Sequence, residues 1–233
     1  MKSKSVLDRF NKKYKTEGSY KNAPVVQGIF DPQKSRKGHI LYTPCQPVTS
    51  KDQPFLGDFV KIMYHTMLKE NGIGLAANQI GIGLQIFIME IKNPKESVRY
   101  PDLENVPFTL VINPVITQAS EDLSSFWHGC LSARGQEYGK LSTYKSLKYS
   151  ALDISLQPVQ GEVSEMSAII FQHEFRHLLG SLYIDQTDQF LSDEEEQKLD
   201  SFSSTENQEI QPPHILSDYK IGSLIHEHLQ NKN

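Results

Sequence analysis

The residues with the clearest chemical meaning form the pentapeptide His-Glu-x-x-His at positions 173–177. In a helix, His173 and His177 are i and i+4 neighbours on one face, so both imidazoles can reach one divalent metal ion. Glu174 stands beside them, where it can act as a general base toward a water molecule held by that ion. An amphipathic helix with two partly buried, hydrogen-bonded histidines would show the same pattern, so the pentapeptide alone leaves both interpretations open.

The surrounding sequence predicts a complete helix from Ser164 to Leu179. Ser164 suits the N-cap, and Glu165 places a negative charge in the first turn, where the helix dipole favours it. Gly180 can end the helix in a left-handed conformation. Apolar residues fall on nearly all sides of this segment, which indicates a buried helix. Buried imidazole and carboxyl groups need partners, and a metal ion would supply one.

A catalytic metal site of this type needs a third protein ligand and one open position. The chain has two cysteines, Cys45 and Cys130. Cys130 lies in a Gly-Cys-Leu-Ser turn at residues 129–132, whereas Cys45 lies between two prolines. For each of them, the alternative is a small buried apolar residue, which is how most free cysteines behave.

A third segment, Gly-Ile-Gly-Leu-Ala-Ala-Asn-Gln at residues 72–79, ends in the neutral amide of Gln79. Its glycines allow another part of the chain to approach the backbone closely. The segment lacks the Lys-Ser/Thr pair of a P-loop and the glycine spacing of a dinucleotide fingerprint. It is therefore not a nucleotide-binding loop.

Together, these three segments resemble the peptide deformylases. That family shows Gly-x-Gly-x-Ala-Ala-x-Gln, then Gly-Cys-Leu-Ser, then Gln-His-Glu-x-x-His, and this chain has them in the same order at 72–79, 129–132 and 172–177. The segments Ile-Leu-Tyr-Thr-Pro-Cys-Gln-Pro-Val at 40–48 and Leu-Val-Ile-Asn-Pro at 110–114 are also similar. The resemblance extends from residue 38 to residue 190 and implies removal of the formyl group from N-formyl-methionyl peptides of nascent proteins.

The resemblance implies the metal and proton chemistry of the site. Cys130, His173 and His177 match the metal ligands, with water in the fourth position, and Glu174 matches the general acid and base. The implied cofactor is one divalent ion, Fe(II) in the cell, with Zn or Ni able to substitute. A thiolate ligand favours such ions over magnesium or calcium.

The resemblance also implies the substrate contacts. The Gln79 amide and the Leu131 backbone N–H match the two donors to the formyl oxygen as it becomes an oxyanion. The implied partners are the formyl-methionyl peptide and, transiently, the ribosome. The cleft and its pocket for the methionine side chain would be lined by Gly74, Ile73, Phe126, Ile169 and Ile170.

Three positions depart from the family pattern. The family usually has Glu where this chain has His128, Asp where it has Arg176, and Arg near the place of Tyr144. Two acidic positions thus become one titratable and one basic residue, which predicts a lower working pH for the site. Two alternatives stay open: a metallopeptidase of the HExxH type, against which Cys130 and Gln79 weigh, and a catalytically weak or re-purposed relative of the deformylases.

The hydrophobic patterns predict an α+β fold, in which mixed or antiparallel strands surround the buried helix that carries HExxH. A second helix is expected from about Pro54 to Glu70, with Asn71-Gly72 as its stop. Strands are expected at Gln85–Ile91, Phe108–Ile112 and Lys145–Leu156.

Two extensions flank the predicted catalytic domain, which spans residues 26–190. Residues 1–25 are expected to form a polar, basic arm, either solvated or folded as a short helix. Residues 191–233 are expected to form a C-terminal extension with helices. Residues 192–195 resemble a capping box that opens a short acidic helix. An amphipathic helix at Ile221–Leu229 is expected to pack on the body, and partner binding is the less favoured alternative.

The bulk composition fits an enzyme of the cytoplasm. The 233 residues carry a formal net charge of −4, so no specific nucleic-acid site is expected. No run of 18 apolar residues occurs, which predicts that no helix crosses a membrane. Two unpaired cysteines favour a reducing compartment. The N-terminal arm is rich in lysine and not arginine, so an organellar transit peptide is the less favoured interpretation.

Overall fold

The computed structural model describes residues 5–92, 104–192 and 212–227 and shows an α+β fold, as predicted. Its α-helices, within these ranges, are α1 (Val6–Tyr14), α2 (Gln53–Lys69) and α3 (Glu165–Leu178). The helices described in these ranges are too short or too polar to span a bilayer.

The strands of the described ranges form one larger and two smaller antiparallel sheets. The larger sheet has the order β3-β4-β5-β8-β9, and β1-β2 and β6-β7 form separate pairs. The strands are β1 (Lys15–Thr16), β2 (Ser19–Tyr20), β3 (Gly74–Ala76), β4 (Ile86–Ile91), β5 (Val106–Ala119), β6 (Leu123–His128), β7 (Gly139–Tyr144), β8 (Ser146–Leu152) and β9 (Pro158–Ser164).

Strand β4 separates the two halves of the core, because alternate side chains of a strand point to opposite faces. Phe87 and Met89 belong to the cluster around α3, whereas Ile86 and Ile88 belong to the cluster around α2. The Phe87 ring meets the edge of Phe171 on α3 with ring centroids 5.0 Å apart. The larger sheet thus lies between α2 and α3, and α3 is buried on nearly all sides, as its sequence predicts.

The ends of α3 are set by local sequence. Ser164 is the N-cap residue, and its N–H donates to the Ser167 hydroxyl oxygen at 3.1 Å. Gly180 follows the helix with φ +76°, and a Cβ there would lie 2.6 Å from the backbone of Thr43 and Pro44. Only glycine fits such a left-handed and crowded position. Gly180 therefore lets the loop that contains Cys45 pack closely against the C-terminal end of α3.

Several sequence-based predictions of secondary structure need correction. The expected strand at 108–112 is the middle of a longer β5, and the expected strand at 145–156 contains β8 and a turn. Strands β3, β6, β7 and β9 were not predicted, because they are short or lack regular apolar alternation. The amphipathic helix expected at 221–229 is wrong for residues 221–227, which form an irregular turn followed by a single 3-10 turn at 225–227, with His226 exposed. Residues 193–195 and 228–229 lie outside the described ranges.

The N-terminal residues pack on the body through α1. Leu7 is fully buried, and the Phe10 ring meets Phe59 of α2 with ring centroids 5.3 Å apart. Asn11 donates to the carbonyl oxygen of Phe55 at 2.8 Å. Of the two alternatives for the N-terminal arm, a solvated segment or a short helix, residues 6–14 therefore form the short helix. That helix packs on α2.

The C-terminal segment, residues 212–227, packs against α3 and β7. Ser142 of β7 donates its N–H to the Pro213 carbonyl at 2.9 Å and accepts from the Ile215 N–H at 3.0 Å. The segment also adds apolar side chains to the core around α3: Ile215, Leu216, Tyr219 and Ile225 are each at most 7% exposed. This segment therefore closes the side of α3 that the sheets leave open.

Candidate active site

Three separate elements bring the candidate residues together. His173, Glu174 and His177 lie on α3. Cys130 follows β6 in the turn at 129–132, and Gln79 lies in a short 3-10 turn, Ala77–Ile80, directly after β3. Since β3 and β6-β7 both flank α3, residues more than 40 positions apart in sequence meet at one end of a single cavity.

Cys130, His173 and His177 form a group whose ligand atoms all lie within 4.8 Å of one another. The Cys130 sulfur is 3.3 Å from His177 Nε2. Two further groups donate to that sulfur, the Gln79 side-chain amide and the Ser132 backbone N–H, each at 3.4 Å. One thiol and two imidazoles at this separation suit a tetrahedral zinc- or iron-type site with an open fourth position.

The protonation states of these side chains also suit the binding of a metal cation. Burial lowers the pKa of His173 to about 4 and the pKa of His177 well below its ordinary value. Both rings are therefore neutral at pH 7, and neutral imidazole is the form that binds metals. Burial raises the pKa of the Cys130 thiol. A coordinated cation reverses that effect and deprotonates the thiol.

Glu174 projects into the same cavity and is only 4% exposed. Burial raises the pKa of its carboxyl well above the ordinary value, and its Oε2 has no hydrogen-bond partner among the described residues. The backbone of Gly74 lies against this carboxyl: a Cβ at Gly74 would be 2.4 Å from Glu174 Oε1. A desolvated carboxyl beside a metal group can accept and release a proton near neutral pH.

Gln79 is held by the backbone of its own turn and by the turn at 129–132 that contains Cys130. Its Oε1 accepts from the Ala76 N–H at 2.8 Å, and its Nε2 donates to the Ser132 hydroxyl at 3.2 Å as well as to the Cys130 sulfur. In the described ranges, no hydrogen bond uses the Leu131 N–H. The two donors that the resemblance implies thus lie on the loops that flank the candidate metal ligands.

The cavity has a volume of about 320 Å³ and reaches the surface. Every residue expected to contact the substrate lines it, and Met166 of α3 adds a further apolar wall. Those expected residues are Ile73, Gly74, Phe126, Ile169 and Ile170. The cavity therefore joins an apolar compartment to the metal group and Glu174.

His128, at the position where the resemblance implies a glutamate, touches the candidate metal ligand His173. Its ring stacks on His173 with centroids 5.4 Å apart, and the two Nδ1 atoms are 3.2 Å apart. Tyr183 stacks on His173 as well, with centroids 6.0 Å apart. The contact orients the His173 ring through its Nδ1, which leaves Nε2 for a metal ion. Tyr183 was not singled out from the sequence, because no motif marks it.

Gln172 holds the backbone of Tyr144, the residue that stands near the place of a family arginine. Its amide nitrogen donates to the Tyr144 carbonyl at 2.9 Å, and its Oε1 accepts from the Tyr144 N–H at 3.0 Å. This pair of hydrogen bonds ties α3 to β7 through the backbone of Tyr144. The side chain at position 144 is therefore not needed for that contact.

Arg176 does not add an unpaired positive charge to the site. Its side chain is 1% exposed, and its guanidinium is paired with Asp218 of the C-terminal segment. The sequence-based expectation of a lower working pH depends on this charge acting on the site, and the sequence could not place a carboxylate to pair with it. Asp218 supplies the counter-ion, and no sequence signal connects it to Arg176 across 42 positions.

The fold and the site define a metal-dependent hydrolase, with a Cys-His-His group, a buried glutamate and amide donors around one cavity. Comparison with known proteins gives the family. The family model for polypeptide deformylase matches residues 32–192, which is more than half of the chain. The chain therefore belongs to the polypeptide deformylase family, the enzymes that hydrolyse the N-formyl group from nascent peptides.

Similar proteins agree with this assignment. Peptide deformylase 1 of Nitrosomonas europaea is 41% identical over 145 residues, which cover 60% of this chain and 80% of that protein. Peptide deformylase 1 of Bordetella pertussis is 39% identical over 137 residues, covering 59% and 76%. A Met-Ala-Ser-bound crystal structure of a class I type b peptide deformylase from Acinetobacter baumannii has a TM-score of 0.61 at 28% identity and covers 70% of this chain and 97% of that one.

Proposed function

We propose that Cys130, His173 and His177 hold the catalytic metal ion of this deformylase, which acts on peptides that begin with N-formyl-methionine. The single observation that carries the proposal is the meeting of these three ligands, within 4.8 Å, with the unpartnered Glu174 carboxyl in one cavity. When bound, a divalent ion supplies Lewis acidity that makes water a nucleophile and polarises the formyl carbonyl. Fe(II) is the proposed native ion, with Zn or Ni able to substitute, because a thiolate and two imidazoles suit these metals.

Glu174 moves the proton in the proposed reaction. Its unpartnered Oε2 accepts a proton from the attacking water and later delivers it to the amine nitrogen that leaves the formyl carbon. Burial favours the protonated carboxyl, whereas a cation in the adjacent group favours the carboxylate. The two effects act on the pKa of Glu174 in opposite directions, which suits a group that must both accept and release a proton.

Two donors stabilise the charge that forms on the formyl oxygen. The Gln79 amide is fixed at its Nε2 by Ser132 and at its Oε1 by Ala76, and the Leu131 N–H lies one residue after Cys130. A donor held in place before the reaction requires no reorganisation as the oxygen becomes negative. One such donor is worth about 2.7–4 kcal/mol of transition-state stabilisation.

The apolar walls of the cavity select the substrate side chain. Ile73, Phe126, Ile169 and Ile170 line the compartment beside the metal group, and an unbranched methionine side chain fits such an irregular apolar space. The similar structure from Acinetobacter baumannii contains Met-Ala-Ser, which is what deformylation of formyl-Met-Ala-Ser leaves behind. A cytoplasmic location and transient contact with the ribosome remain predictions that follow from a nascent-chain substrate.

The test is formate release from formyl-Met-Ala-Ser by the full chain loaded anaerobically with Fe(II), or with Ni(II) or Co(II). We expect turnover in the unaltered chain and, in Glu174→Gln, one bound metal per chain without turnover. Cys130→Ala should lose stoichiometric metal, whereas the matched variant Cys45→Ala should keep it. Full metal binding by Cys130→Ala, or cleavage of unformylated peptides at internal bonds in place of formate release, would contradict the proposal.

A further inference from the structure

Arg176 is an unusual residue to find inside the HExxH segment, because it combines a permanent charge with nearly complete burial. Its side chain is 1% exposed, and it ranks among the largest fully buried side chains of the described residues. It directly precedes the ligand His177 in the last turn of α3. A buried guanidinium without a counter-ion is strongly destabilising, so this position depends on what faces it.

The counter-ion comes from Asp218. Arg176 Nη1 donates to Asp218 Oδ1, and Nη2 donates to Oδ2 at 3.2 Å, which makes the pair bidentate. Two parallel charge-assisted hydrogen bonds fix direction as well as distance. Asp218 lies outside the segment 32–192 that matches the family, so a part of the chain beyond the family core neutralises a charge within its catalytic motif.

The backbone on both sides of Asp218 is anchored to the body. Ser142 of β7 exchanges hydrogen bonds with Pro213 and Ile215, and the Gly222 N–H donates to the Ile116 carbonyl of β5 at 2.8 Å. Between these anchors, Tyr219 packs edge-to-face on Phe175 of α3 with ring centroids 4.9 Å apart. The carboxylate is therefore presented by a fixed segment and not by a free tail.

From these contacts we infer that Asp218 is a positioning residue for the metal site, acting through Arg176 on the last turn of α3 and hence on His177. The inference rests on the proposed function, since the position of His177 matters to catalysis only if it binds the metal. The Asn78 amide holds the other side of this turn by donating to the His177 carbonyl at 2.7 Å. With Asp218 in place, His177 Nε2 stays directed at Cys130; without it, the guanidinium draws the turn toward solvent.

The experiment measures Co(II) affinity by competition with a chelator, together with the visible absorption of the Co(II)–thiolate centre. We expect Asp218→Asn, which keeps the shape but removes the charge, to weaken Co(II) binding about 10–100-fold, the usual cost of losing a partner behind a metal ligand. Asp218→Glu should rescue most of the affinity. Asp58→Asn is the matched control, because Asp58 is equally exposed, at 31%, and pairs with Lys15 away from the site.

A merely structural role would lower the thermal stability of Asp218→Asn and leave its Co(II) affinity and absorption unchanged, and that outcome would overturn the inference. If Asp218→Asn does not fold, Arg176→Met and Arg176→Met/Asp218→Asn take its place. These two variants should bind Co(II) alike, because no guanidinium is left to hold; a tenfold difference between them would also overturn it. Failure of the unaltered chain to bind Co(II) would instead refute the proposed function, and with it the premise of this inference.

Discussion

Gly74 lacks a side chain at the point where Glu174 needs room. The backbone of β3 approaches the Glu174 carboxyl so closely that an added methyl group would lie 2.4 Å from Oε1 and 2.8 Å from Cδ. The conformation of Gly74 does not require glycine, so the requirement is one of space alone. At the scale of single residues, the site thus depends on the lack of a Cβ atom at Gly74 as well as on the reacting groups.

Gly74→Ala should lower kcat without removing the metal. The added methyl displaces the carboxyl by about 1 Å, and a shift of that size in a catalytic group can cost about 10²-fold in rate. The three atoms nearest to this methyl all belong to Glu174 and none to the proposed ligands Cys130, His173 and His177, so metal occupancy should stay near one per chain. The measurements are kcat for formyl-Met-Ala-Ser and metal content.

Gly57→Ala is the control for that substitution, because a Cβ at Gly57 of α2 meets nothing within 4 Å. In a helix, alanine is also favoured over glycine by about 1 kcal/mol, so this variant should be at least as stable and fully active. An unchanged kcat in Gly74→Ala would show that Glu174 does not work from the position that the structure gives it.

At the scale of the structural elements, the C-terminal segment carries a histidine, His214, whose protonation can be tested through the pH dependence of stability. His214 lies beside the Tyr144 ring, with centroids 4.3 Å apart, and its Nδ1 accepts from the Leu216 N–H at 3.0 Å. Burial lowers the pKa of His214 to about 4. The segment is therefore held in place by a neutral imidazole that the unfolded chain would protonate more readily.

The metal-free protein should lose stability as the pH falls from about 6.5 to about 4. In this window the unfolded chain binds the His214 proton and the folded chain does not, so the free energy of unfolding decreases with falling pH. At about 1.36 kcal/mol per pKa unit the loss is at most about 3 kcal/mol, and less because the ring is partly exposed. His214→Asn keeps an acceptor for the Leu216 N–H and should reduce this dependence.

The measurement is the free energy of unfolding in urea at the two ends of that pH window, for His214→Asn and the unaltered chain. Other buried histidines titrate in both proteins, so the difference between the two slopes isolates His214. Equal slopes would mean that the imidazole of His214 is hydrated in solution and that the segment does not bury it.

The same elements show what a sequence can and cannot predict. His173, Glu174 and His177 were found because their spacing on one helix carries the signal, and Cys130 and Gln79 because they stand in short motifs. Strand β9 was missed because most of its residues are exposed, and only Val159 and Val163 give one of its faces large apolar side chains. Asp218 was missed because nothing in the sequence relates it to Arg176, 42 positions earlier; only the packing of residues 212–227 does.

On the scale of the whole molecule, the core around α3 includes residues that lie beyond the segment matching the family. The segment 32–192 matches the deformylase family, yet one side of α3 is covered by residues 212–227. Ile215, Leu216, Tyr219 and Ile225 are buried there. At about 1.5–3 kcal/mol for each fully buried side chain, their loss amounts to about 6–12 kcal/mol as an upper estimate. Whole domains are stable by only about 5–15 kcal/mol.

A chain that ends at Ser192 should therefore fail to show a cooperative unfolding transition, although it retains every candidate catalytic residue. It loses the apolar cover of α3 and the counter-ion of Arg176 together, and the second loss leaves a buried charge unpaired. Arg176→Met in the shortened chain separates the two causes, because it removes the charge and leaves the apolar face exposed. Urea unfolding followed by fluorescence and by circular dichroism measures both. A shortened chain that unfolds cooperatively at the midpoint of the full chain would show that the core around α3 closes on itself, and that residues 212–227 merely lie on its surface.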